Sequence, residues 1–395
     1  MARFLFVVPP FAGHVNPTIP VAAELVRHGH EVAWTGLPGA VDQLLPAGST
    51  FLPSAPIEVT EHAAGIAERA PEMRGAAAFK FLQEEVLLPL ADAMVDGVDA
   101  AVEAFAPDVL VVDQQALAGA VVARRRGLPW ATSATTSAEL VDPLAALPKV
   151  AAAMHEARVE LQVRHGITSD AAREGDLRIS PHLVVAYTTE ALSGPVDVGP
   201  GGGRVAFVGP ATLGRPESGD FPWFRLEARP TVLVSLGTVN VGAGERFFSV
   251  AAEACRDQEW QAVFVAPEHV VADPPANVII APRVPQLALL ARTDAVVSHA
   301  GHNTVCESLA AGLPLVLAPI RDDQPVVADQ VVRAGAGIRV KFNRVQAPEL
   351  REAIARALAD PALRAAAATI RDSFEAAGGA PAAAAALESL LAASE

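Results

Sequence analysis

The segment 296–324, VVSHAGHNTVCESLAAGLPLVLAPIRDDQ, constrains the fold more than any other part of the chain. An apolar strand pattern runs from Ala295 to Ser298 and passes into a turn holding His299, Gly301, Asn303 and Thr304. A helical pattern continues from about Thr304 to Ala311 and stops at Gly312-Leu313-Pro314. A second apolar strand, Leu315 to Ala318, leads into Asp322-Asp323-Gln324. Strand, turn, helix, strand and polar turn in this order belong to an open α/β sheet, whose ligands sit beyond the carboxyl ends of the strands. A helix starting at Asn303-Thr304 points backbone N–H groups and a partial positive charge at that end, which favours a phosphate. The carboxylates and amide of the next turn are suited to hydroxyl groups. A phosphate grip beside a hydroxyl grip reads as a nucleotide-sugar site.

The same alternation recurs along the chain. RFLFVV at Arg3 to Val8 is a continuous apolar run, as expected of a strand covered on both faces. Phe11 to Pro17 reads as a turn, Pro17 to His28 as a helix and Glu31 to Gly36 as a second strand. Asp108 to Asp113 is another buried strand that ends in a carboxylate, followed by a helix at Ala118 to Gly127 and a strand at Trp130 to Ser133. Two long helical excursions, Glu61 to Ala104 and Ala138 to His165, interrupt the repeat. Residues 209–230 carry four Pro and three Gly without a sustained period and read as a linker. The alternation then restarts with a strand at Thr231 to Leu236 and the turn Gly237-Thr238.

The expected architecture is therefore α/β: two doubly wound Rossmann-like domains that face each other across a cleft. The expected boundaries are 1–208, a linker at 209–230, a second domain at 231–376, and a terminal helix within 377–395 packing back on the first domain. A length of 395 residues suits two domains. The Gly199-Pro200-Gly201-Gly202-Gly203 run has no helix after it and reads as a surface turn rather than a phosphate loop.

Charge narrows the partners. A net charge of −15 argues against nucleic acid and anionic membrane surfaces as partners, but a phosphate ligand needs only local donors. The start of the chain lacks a signal-peptide pattern, and no apolar run is long enough to span a bilayer. Cys255 and Cys306 lie far apart, without metal spacing, and fit a reduced cytoplasmic setting.

FAGHVNPTIPVAAEL at 11–25, VPQLALL at 284–290 and SHAGHNTVCESLAAGLPLVLAPIRDDQ at 298–324 together resemble family 1 glycosyltransferases of the GT-B fold. The likeness is strongest to bacterial enzymes that glycosylate antibiotics and other natural products, enediynes included, and it covers essentially the whole chain. It implies that His14 is the general base and Asp113 its orienting acid. It implies further that His299, Gly301, Asn303 and Thr304 form the diphosphate turn and that Glu307 meets the ribose. Asp323 and Gln324 would hold the transferred sugar, Val284 and Gln286 would lie beside the nucleobase, and Gly237 and Thr238 near the phosphates. Plant members carry Trp at the positions of Arg283 and His302, which leaves the base open between uracil and thymine. Asp322 adds a carboxylate ahead of the Asp-Gln pair, and the roles of Asp322 and His302 stay open.

The implied reaction is inverting transfer from a dTDP- or UDP-sugar to a hydroxyl of a bulky apolar aglycone. The helix at Asn303-Thr304 and His299 would stabilise the leaving diphosphate. No cofactor or metal is expected, since the nucleotide sugar is a substrate. The excursions offer Phe79, Phe81, Leu82, Met94, Leu144 and Met154 to the acceptor. The protein would act as a monomer or homodimer. A nucleotide-sugar epimerase on the same fold and a non-catalytic drug- or sugar-nucleotide-binding protein are the rival readings. A pyridoxal-dependent phosphorylase needs a lysine Schiff base, and Lys80, Lys149 and Lys341 stand in no recognisable site.

Overall fold

RFLFV at Arg3–Val7 forms β1, and four of its five residues are buried. Phe4 and Phe6 enter one apolar layer with Leu25 and Leu387, while Leu5 and Val7 enter another with Val98 and Val121. Burial on both faces is what removes polar alternation from the run. The computed structural model describes residues 1–67, 80–141, 147–212, 220–237 and 244–392.

The first unit comprises Met1–Glu190, Pro195–Arg215 and Ala377–Glu395. Its strands are β1, β2 (Glu31–Gly36), β3 (Thr50–Pro53), β4 (Val109–Asp113), β5 (Trp130–Ala134), β6 (Leu183–Ala186) and β7 (Arg204–Phe207). They form one sheet in the order β3-β2-β1-β4-β5-β6-β7, and every pairing is parallel. The strand order reverses direction between β1 and β4, which opens a crevice at their carboxyl ends.

The second unit comprises Ala191–Gly194 and Pro216–Ala376. It contains β8 (Thr231–Ser235), β9 (Gln261–Val265), β10 (Val278–Ala281), β11 (Ala295–Ser298), β12 (Leu315–Leu317) and β13 (Gly337–Arg339). Its sheet is again all parallel, in the order β10-β9-β8-β11-β12-β13, with its own reversal between β8 and β11. Its core gathers Phe247, Phe248, Phe264, Val297 and Ile354.

The last helix, Gly379–Ala392, buries Ala383 and Leu387 in the core of the first unit, beside Leu25 of helix Thr18–Arg27. Oε1 of Glu388 lies 2.6 Å from Nδ1 of His28 and 3.0 Å from Nε2 of His30. The backbone N–H of Ala2 donates to Nδ1 of His30 at 3.1 Å, which leaves Nε2–H of a neutral His30 to donate to Glu388.

Two local features escape the pattern reading. Ala12–Val15, expected as turn, forms a single helical turn before helix Thr18–Arg27. β3 is a four-residue edge strand ending in proline, too short and too exposed to show a periodicity. The excursion beginning at Ala138 resolves into a 3-10 turn at Ser137–Leu140 and a helix at Pro148–Arg164. Among the described residues no helix is long and apolar enough to cross a membrane.

Candidate active site

β1 and β4 pair with Val7 opposite Val112, so the segment after β1 and the last residue of β4 leave the sheet side by side. His14, on the turn Ala12–Val15, is thereby brought to Asp113. Its Nδ1 lies 3.0 Å from both carboxylate oxygens. The Asp113 side chain is fully buried and that of His14 is 16% exposed, so the imidazole is the member of the pair that reaches solvent. A ring nitrogen facing two carboxylate oxygens carries the proton, which puts the lone pair of neutral His14 on Nε2.

Each Asp113 oxygen has a further donor. The backbone N–H of Gln115 donates to Oδ1 at 2.8 Å, and the Thr135 hydroxyl donates to Oδ2 at 2.8 Å. Thr135 Oγ1 also lies 2.7 Å from His14 Nδ1. Behind this group, the Gln115 amide donates to Glu139 at 3.0 Å and Arg178 donates to the other Glu139 oxygen at 3.2 Å. Burial raises the Glu139 carboxyl above the usual range, against the pull of Arg178. Burial also penalises the Asp176 carboxylate, but the charge and hydrogen bonds of Arg178 outweigh it and hold Asp176 below that range.

Thr135, Gln115 and Glu139 were missed from sequence. For Thr135 a signal existed: it is the first residue beyond β5, and the carboxyl ends of strands near the reversal line the crevice. Met94 and Met154, offered above to an acceptor, are instead 1% and 2% exposed, Met94 within the core against β1. Their helices turn these side chains inward, as apolar spacing alone could not tell. Phe81 and Leu82 are half-buried, and Phe79 and Leu144 lie outside the described residues.

In the second unit Ser235 pairs with Ser298, which sets the residues after β8 beside those after β11. His299 is buried, and its ring is flanked by two glycines. A Cβ on Gly237 would lie 2.7 Å from its Cε1, and a Cβ on Gly301 2.4 Å from its Nε2. Gly237 also has φ +70°, open to glycine. Thr238 lies outside the described residues. Burial pushes the His299 imidazole down to about 4, against a weaker opposing effect of the Ser235 backbone. The ring is therefore uncharged at neutral pH.

Ala300 takes φ +68° between strand and helix, a left-handed conformation that non-glycine residues seldom adopt and that clusters at functional turns. Gly301 then caps helix His302–Ala310, which begins two residues earlier than its apolar pattern and carries Asn303 and Thr304 in its first turn. His302 is buried with Nε2 3.5 Å from the Cys306 thiol one turn on. The Gln286 amide donates to Glu307 at 2.5 Å, joining helix Gln286–Leu290 to the next helix; Val284, half-buried, precedes this link.

Asp322 has φ +56°, and burial raises its carboxyl to about 6, with Arg321 opposing and Asp323 adding to the shift. Asp323 occupies the N-cap of helix Gln324–Arg333. Oε1 of Gln324 accepts the backbone N–H groups of Ile320 and Arg321 at 2.9 and 3.2 Å, so its oxygen shapes the turn and its NH₂ is the end suited to a ligand. Among the described residues no three His, Cys, Asp or Glu side chains gather as a metal ligand set.

Residues 260–390 match the family described as erythromycin biosynthesis protein CIII-like, C-terminal domain. The 4'-demethylrebeccamycin synthase of Lentzea aerocolonigenes is 30% identical over 95% of this chain and 96% of its own length. The glycosyltransferase of kitacinnamycin superposes with a TM-score of 0.75 at 26% identity, covering 98% of this chain and 99% of that one. VinC, solved in complex with dTDP, shares the fold with a TM-score of 0.74 at 21% identity, covering 99% of this chain and 100% of that one. Two parallel sheets, each with its own reversal point, match the GT-B fold of the kitacinnamycin glycosyltransferase. The chain belongs to the family of bacterial natural-product glycosyltransferases that act in antibiotic biosynthesis.

Proposed function

We propose that this glycosyltransferase moves a sugar from a dTDP- or UDP-sugar to a hydroxyl of a bulky, apolar natural-product aglycone, with inversion at the anomeric carbon. The observation that carries the reading is the His14–Asp113 pair: a partly exposed imidazole backed by a buried carboxylate at the reversal of the first sheet. Nε2 of His14 takes the proton of the acceptor hydroxyl as its oxygen forms a bond to the anomeric carbon. The bond from that carbon to the diphosphate oxygen breaks, and the electron pair leaves with the nucleoside diphosphate. His14 becomes an imidazolium that Asp113 stabilises.

The donor falls to the second unit. The N-terminal end of helix His302–Ala310 attracts the diphosphate, Glu307 held by Gln286 is suited to a ribose hydroxyl, and Asp323 with Gln324 to the sugar. The dTDP bound to VinC supports a thymidine nucleotide. Helix N–H groups and the neutral His299 supply the charge stabilisation in this reading, so transfer needs no metal.

The test is His14→Ala. Transfer from dTDP-glucose or UDP-glucose should fall by about 10²–10⁴-fold while dTDP still binds. Unchanged turnover would overturn the base assignment, and a product of retained anomeric configuration would overturn inversion.

A further inference from the structure

We propose that Thr135 is a positioning residue that holds the Asp113 carboxylate against His14 and sets how readily the imidazole takes up a proton. The proposal rests on His14 being the base. Three groups close a triangle: Thr135 donates to Asp113 Oδ2 at 2.8 Å, Asp113 faces His14 Nδ1 at 3.0 Å, and Thr135 Oγ1 lies 2.7 Å from that nitrogen. A hydroxyl has one proton. With that proton given to Asp113, its oxygen presents only lone pairs to Nδ1, which fits Nδ1–H and no other tautomer.

The two donors to Asp113 differ in kind. Gln115 donates through the backbone, so no side-chain change removes it. Thr135 donates through a side chain that is 3% exposed, directly after β5, so it reports on water very little and on its two partners directly. A buried carboxylate oxygen that loses a donor must be satisfied by those remaining. Here the remaining donor at Oδ2 is His14 Nδ1–H, and a charged imidazolium is the stronger donor. Removing the hydroxyl therefore favours protonated His14 and leaves less of the free base at neutral pH. The wider surroundings contribute Glu139 and Arg178, which are opposite in charge and paired with each other.

The experiment is an NMR titration of the His14 imidazole in the full-length protein, assigned by its loss in His14→Ala, and repeated in Thr135→Val and Thr135→Ser. Valine should move the His14 midpoint to higher pH by roughly half to one unit, as loss of a hydrogen bond to a charged group implies. It should shift the acid limb of kcat/KM for dTDP-glucose in the same direction, lower turnover about two- to threefold at pH 7, and leave donor KM unchanged. Serine should restore the wild-type titration; a purely structural threonine would give no such shift and rescue. A valine titration that overlays wild type overturns the proposal, and Thr135→Ala takes valine's place if that variant does not fold. Should His14→Ala retain turnover, the base reading falls alone, because the titration still measures coupling between Thr135 and His14.

Discussion

A Cβ built on Gly301 would lie 2.4 Å from Nε2 of His299, closer than any packed carbon can approach a ring nitrogen. Gly301 has φ −63° and ψ 134°, a conformation open to every residue, so its requirement is space for the imidazole alone. Gly301→Ala should push the His299 ring out of place at a cost of about 1–3 kcal/mol, weakening dTDP binding tenfold or more. In a His299→Ala background the same substitution should cost little. Calorimetric titration with dTDP across this double-mutant cycle measures the coupling, and additive effects would refute it.

Gln286 and Glu307 act as one unit in the second domain's site. Gln286→Leu keeps volume but removes the amide that fixes the Glu307 carboxylate. Affinity for UDP and dTDP should fall about tenfold, with kcat within about threefold of wild type, since a uniform loss of ground-state and transition-state binding appears in KM. Steady-state kinetics against donor concentration decide it.

Gln324 has two ends with separate work. Gln324→Leu deletes the oxygen that accepts two backbone N–H groups and should lower Tm by a few degrees, about 2–4 °C per kcal/mol lost. Gln324→Glu keeps an acceptor oxygen and removes the NH₂. Its Tm should stay near wild type while sugar transfer drops. Normal transfer by the glutamate variant would remove the amide from sugar binding.

Stability against pH should carry two opposing contributions. His299 is depressed to about 4 in the folded chain, so its contribution is complete above about 6.5 and is lost as pH falls toward 4, by about 3 kcal/mol in all. Asp322 is raised to about 6, so its ionised form is disfavoured by folding. That term is absent below about 4 and grows as pH rises to about 6, to about 1–2 kcal/mol after allowance for its partial exposure. Asp322→Asn, which tolerates the same left-handed backbone, should therefore raise Tm at pH 7.5 and leave it unchanged at pH 4. Thermal unfolding at both values checks the sign.

Much of the candidate site in the second unit was legible in sequence because it is local. His299, Gly301, Asn303, Thr304 and Glu307 fall within one strand-turn-helix unit, where spacing along the chain nearly fixes spacing in space. His14 and Asp113, 99 residues apart, were legible chiefly through family likeness, helped by the position of Asp113 at the carboxyl end of a buried strand. Thr135 was illegible, because a threonine after a strand has many uses and its partners come from two other strands' ends.

By itself the sequence determined the alternation of apolar strands and helices, the two parallel sheets and the glycine turn after β11, because burial on both faces and backbone geometry are imposed residue by residue. Tertiary structure alone decided which side chains share a hydrogen bond and which ionisable groups leave water. It made His299 a neutral ring wedged between two glycines, turned Met94 into the core, and closed the triangle of His14, Asp113 and Thr135. Those outcomes follow from strand order and register, which bring distant segments within 3 Å and set the solvation that governs their charge.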